Sequence, residues 1–208
     1  MKPSLTIPDE APVMVLPGAV LFPSGIMPLR IFERRYRAML EWALDHDRMF
    51  CIALMKPGIT EAVTEDQFFH TAGVGLVSAS VTQGDGTSKL MLQGLARVRF
   101  TGFSQVTPFR IAKLRPVRPL AGDPDEAAEL AGDIRDQCAD LPGRGASLPE
   151  SFVEMLGRIS DPAALADAVA HSLIGDPFER QVLLEERDPA ARLRAILRLL
   201  REQFPGAA

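Results

Sequence analysis

Few side chains in this sequence have the type and spacing that covalent chemistry requires. The three histidines, His46, His70 and His171, form neither an HExxH motif nor an i, i+4 pair with which a helix holds zinc. Cys51 and Cys138 lack CxxC spacing, so they spell neither a zinc ribbon nor a redox motif, and two reduced thiols are expected. A serine nucleophile presented on a Gly-x-Ser-x-Gly elbow is missing: Gly73-Val74-Gly75 has no serine, and Pro23-Ser24-Gly25 has the composition of a turn. Gly73-Val74-Gly75 and Gly84-Asp85-Gly86 carry the glycines of a phosphate cradle, but neither runs into a helix start, so turn and strand-entry duty is expected of both. None of Lys2, Lys56, Lys89 and Lys113 completes a GxxxxGK[ST] loop. These residues imply no catalytic group, no metal and no cofactor. A triad built in space from distant segments stays open as a third reading.

Recognition chemistry remains. Arg30, Arg34, Arg35 and Arg37, with Arg97 and Arg99, are the basic residues able to meet an acidic peptide or RNA. Against that, Glu33, Glu41, Asp45 and Asp47 lie close in sequence and would neutralise a solvated face. The net charge of −4 disfavours nucleic acid, because phosphate binding requires a basic face. A single Tyr and a single Trp also fall short of a base-stacking platform. Phe22, Ile26 and Met27 sit in a Pro/Gly-flanked run and are candidates for an exposed apolar patch, since loops run on surfaces and Met adapts to varied partners. Equally, Leu21, Phe22 and Met27 would serve to close one end of a barrel core. The candidate peptide-binding residues are Phe22, Pro23, Ile26, Met27, Arg30 and Arg34. An edge strand over residues 25–32 would also take up a partner strand, with Pro28 removing one donor.

The elements that must position these residues change character along the chain. Val13–Leu16, Ile26–Phe32 and Phe50–Met55 read as strands, and Tyr36, Met39, Leu40, Ala43 and Leu44 mark one face of a helix. Residues 74–83 and 87–93 flank the Asp85-Gly86 turn as a hairpin. Leu95–Phe103 alternates, with Val98 and Phe100 on one side and Arg97 and Arg99 on the other, and a last strand runs from Phe109 to Leu114. After Leu120, Asp-Pro recurs at 123–124, 161–162, 176–177 and 188–189, each suited to a helix start with aspartate as cap and proline in the first turn. Ser147 and Glu150 have capping-box spacing, and Leu193, Ile196, Leu197, Leu200 and Phe204 mark a final helix. The reading is α+β: a β domain over 11–118 and an α-helical subdomain of four or five helices over 122–205.

One block is more specific than these patterns. Leu16-Pro17, Leu21-Phe22-Pro23, Pro28-Leu29 and Ile31-Phe32-Glu33-Arg34-Arg35-Tyr36 follow in an order that resembles the opening of the N-terminal, substrate-binding domain of the ATP-dependent protease Lon. Gly94-Leu95-Ala96-Arg97-Val98-Arg99-Phe100 is similar to a second stretch of that domain, and the segments 161–170 and 187–200 to its helical part. The resemblance implies a PUA-like six-stranded pseudo-barrel with one early helix, followed by a C-terminal α-helical bundle. It further implies a non-catalytic module that binds unfolded or tagged polypeptides, as an adaptor or client-binding factor in protein quality control, with a protease or chaperone as a further partner. The motor and protease motifs of Lon are not seen, so a stand-alone binding domain is expected. RNA binding through the barrel is the alternative. The start of the sequence lacks an apolar signal region and no stretch approaches the ~20 apolar residues of a membrane span, so a cytoplasmic protein without membrane contact is expected.

Overall fold

The computed structural model describes residues 6–144 and 148–205. The chain divides into two compact units, Met1–Val117 and Arg118–Ala208. The first contains β1 (Glu10–Leu16), β2 (Ile26–Ile31), α1 (Arg34–Asp45), β3 (Met49–Leu54), β4 (Thr71–Thr82), β5 (Ser88–Gln105) and β6 (Arg110–Pro116). They form one six-stranded sheet in the order β2-β5-β4-β3-β1-β6, and a further β5–β6 pairing closes five of the strands into a barrel. Among the described residues only β1 and β3 pair in parallel. The connection between them must therefore cross over, and it carries α1.

Both faces of β1 and β3 are covered, which explains why their sequences run apolar without alternation. Val13, Val15, Cys51 and Ala53 enter a cluster with Val74, Val98, Phe100 and Ala112. Met14, Phe50 and Ile52 face the opposite way, onto Tyr36, Met39, Leu40 and Ala43 of α1. Helix α1 has arginines in its first turn, no acidic residue there and no side-chain cap, so the dipole opposes it and its packed face sustains it. Tyr36 fixes the helix to the sheet: its hydroxyl donates to the Val15 carbonyl at 2.9 Å and accepts from the Val15 N–H at 3.3 Å.

The structure corrects two expectations. Residues 87–93 and 95–103 are one strand rather than two, because bulges at Val74/Gly75 and Val77/Ala79 absorb the break that Gly94 suggests. Gly73 and Gly75 lie inside β4 rather than in a turn. Their role is close approach: a Cβ at Gly73 would overlap the Leu21 carbonyl oxygen, and one at Gly94 would overlap that of Phe22. The loop from Val20 to Phe22 thus lies directly on the β4 and β5 backbones.

The second unit contains α2 (Pro124–Asp140), α3 (Glu150–Arg158), α4 (Pro162–Leu173), α5 (Pro177–Glu185) and α6 (Pro189–Gln203). Asp123, Asp161, Asp176 and Asp188 each accept a backbone N–H as the N-cap, with proline following. Ser147 lies outside the described residues, and the N-cap of α3 is Pro149. Inside this unit Arg192 of α6 pairs with Asp167 of α4, both almost wholly buried.

Candidate functional site

The barrel leaves one part of its sheet unclosed. The outer halves of β4 and β5 extend as a hairpin, and β2 adds to the free side of β5 as an edge strand. The registers align three rows across β4, β5 and β2: Leu76–Gln93–Ile26, Ala79–Met91–Pro28 and Val81–Lys89–Arg30. Residues two apart on a strand share a face. Leu90, Leu92, Leu29 and Ile31 point to the α1 side of the sheet, whereas the nine residues of the three rows occupy the other face. On it Ile26 is 56%, Met91 37% and Val81 67% exposed. Pro28, Ala79, Val81 and Met91 line a groove of about 490 Å³ that Arg30 and Lys89 bound at one end.

The edge itself is shaped by proline. Gly94 donates its N–H to the Gly25 carbonyl at 2.8 Å. Continuing the antiparallel alternation from that bond, Leu29 and Ile31 bond to β5 while the main chain of Pro28 and Arg30 faces outward. The missing N–H of Pro28 therefore costs the ladder nothing, and its carbonyl remains on the edge.

Arg30 and Lys89 are exposed and have no ion-pair partner among the described residues. Asp85 in the hairpin turn is held below the usual carboxylate range, first by the Thr87 N–H and hydroxyl that donate to it, and less by the nearby Arg30. Arg37 lies against Gly86 of the same turn.

This arrangement sorts the residues named from sequence. Ile26 and Arg30 reach the exposed face. Met27 is half-buried on the opposite side, packed with the α1 cluster. Phe22 is fully buried, with Arg97 over its ring, so its place in an exposed patch is corrected: the glycines of β4 and β5 draw the loop into the core. Pro23 is half-buried, and Arg34 is exposed in the first turn of α1. Arg35 pairs with Glu33 at 2.8 Å and with Glu61 at 3.5 Å, the latter a partner from a distant loop. Ala79, Val81, Lys89 and Met91 were not singled out by sequence for this face. The available signal was Met91 at the polar parity of the alternation Ser88-Lys89-Leu90-Met91-Leu92-Gln93.

The groups with chemical potential are engaged elsewhere. Burial raises the Cys51 thiol far above its ordinary value and pushes Cys138 up to about 11. His46 stacks on Trp42 with ring centroids 3.8 Å apart, and His70 Nε2 lies 2.9 Å from the Glu65 carbonyl. Among the described residues no group of three or more His, Cys, Asp or Glu is placed to hold a metal ion, and no helix is long and apolar enough to cross a membrane.

Comparison with known proteins identifies the family and the fold. The family model of the ATP-dependent protease La (LON) substrate-binding domain matches residues 10–202. Lon protease of Trichlorobacter lovleyi is 30% identical over 94% of this chain, and Lon protease of Escherichia coli K12 is 25% identical over 98%. The chain spans 24% and 26% of the length of these two relatives. Among solved structures, the N-terminal domain of Mycobacterium avium complex Lon protease superposes with a TM-score of 0.74 at 20% identity, covering 93% of this chain and 98% of that one. A Lon N-terminal domain protein from Xanthomonas campestris gives 0.65 at 21% identity, covering 91% and 97%. The fold is thus the mixed α+β, PUA-like architecture of Lon N-terminal domains.

Proposed function

The chain belongs to the ATP-dependent protease La (LON) substrate-binding domain family, and from that premise we propose that it recognises polypeptides on the exposed β4–β5–β2 face. The observation that carries this reading is the apolar strip Val81, Met91, Pro28 and Ile26 beside an edge strand. An unfolded chain supplies both partners such a surface takes: main-chain groups for the edge of β2 and apolar side chains for the groove. Met91 contributes a side chain that adapts to different occupants.

On this reading residues 11–118 are the recognition domain and residues 122–205 a helical subdomain. Ile26 and Arg30 keep their assignment as contact residues, joined by Val81 and Met91. The module itself performs no catalysis and acts in the cytoplasm as an adaptor or client-binding factor in protein quality control, passing unfolded or tagged polypeptides to a protease or chaperone. RNA binding is not favoured, since none of the nine positions in the three rows is aromatic and only Arg30 and Lys89 are basic.

The test is binding of a permanently unfolded model client to the wild type and to Val81→Asp/Met91→Asp, followed by fluorescence anisotropy. Both positions are solvent-facing, so the variant retains its far-UV spectrum. Affinity is expected to fall at least tenfold, the loss of ~1.4 kcal/mol of apolar contact. Unchanged affinity in the folded variant removes this face from the reading.

A further inference from the structure

Resting on the polypeptide-binding reading above, we infer that the preferred occupant of this face is an extended segment carrying apolar side chains at alternate positions and an acidic side chain two residues beyond them. The register dictates this pattern. Rows on one face of a strand recur every second residue, about 6.8 Å apart. The row Ala79–Met91–Pro28 is apolar throughout, whereas the next row toward the hairpin turn, Val81–Lys89–Arg30, ends in two cations on adjacent strands. A segment laid along the edge of β2 sets one side chain beside Pro28 and the side chain two residues away beside Arg30, within reach of Lys89 as well.

The charge at that end is net positive. Arg30 and Lys89 approach it from β2 and β5, and the nearby anion is Asp85 of the hairpin turn. Asp85, held ionised by the Thr87 N–H and hydroxyl of its own turn, offsets only part of the positive charge of Arg30 and Lys89 that an incoming carboxylate would meet. A lysine at the same ligand position would face two like charges. Selectivity therefore comes from attraction of one ligand and repulsion of the other.

The experiment uses the full chain and three fluorescent peptides with the same alternating apolar residues, differing only in Asp, Ser or Lys at the position two residues beyond the apolar run. Each is made with the variable residue at either end, since a segment can pair with β2 in either direction. At low salt the Asp peptide of the productive orientation is expected to bind about three- to tenfold more tightly than its Lys counterpart, a preference that shrinks as ionic strength rises. Arg30→Glu/Lys89→Glu is expected to reverse the order of the Asp and Lys peptides. Equal affinities for the Asp and Lys peptides, or a preference that survives in the double variant, overturn the inference. In that event, continued binding of the Ser peptide that is lost in Val81→Asp/Met91→Asp leaves the polypeptide-binding reading standing. If no peptide binds the wild type, both fail.

Discussion

Phe22→Ala is expected to cost about 3–5 kcal/mol of folding stability, the range for emptying the site of a fully buried aromatic ring. The loss is large because the surroundings cannot collapse into the space. Phe22 sits on a loop clamped at Gly94, which donates to Gly25 and accepts from Ser24, and the ring is capped by the Arg97 guanidinium. Urea unfolding followed by the fluorescence of Trp42, the single tryptophan and a residue of α1, reports this unit alone. The midpoint is expected to fall strongly, whereas Val81→Asp/Met91→Asp leaves it nearly in place. The contrast separates a residue that builds the site from residues that form its surface.

Asp167→Ala is expected to destabilise the helical unit by about 3–5 kcal/mol, because it removes the carboxylate that pairs with the Arg192 guanidinium, 1% exposed. The wild-type pair itself need not add net stability, since desolvating both charges offsets much of their attraction. Asp167→Leu/Arg192→Met is therefore expected to recover most of the loss. Far-UV circular dichroism in urea measures both effects, as α4 and α6 contribute much of the helical signal. A single variant as stable as wild type would show that Arg192 finds water or another acceptor in its place.

How legible each element was depended on how local its causes are. The four Asp-Pro caps were readable because aspartate and proline act on the N–H groups of the next turn. Helix α1 was readable from one apolar stripe, although its charges oppose the dipole. The continuity of β5 was not, since Gly94 reads as a break until the bulges that accommodate it are seen. Phe22 shows the same limit: proline and glycine around it mark a loop, but its burial is decided by Gly73 and Gly94, some fifty to seventy residues away. The exposed face was legible only in part, through Ile26 and Arg30. Its other members come from two further strands, and a register between strands is invisible in a single segment. The Lon-like opening block was recognisable because it packs as a unit: Leu21 and Phe22 enter the core, Pro28 lies on the edge strand, and Tyr36 ties α1 to β1.

In the proposed mode of binding, polypeptides are gripped along the edge and outer face of the β4–β5–β2 sheet. Amide hydrogen exchange of the full chain, with and without saturating unfolded client, tests it most directly. Added protection is expected in Ile26–Ile31, the second half of Thr71–Thr82 and the first half of Ser88–Gln105. Protection confined to the helices of residues 124–203, with these strands unchanged under saturating client, would contradict it.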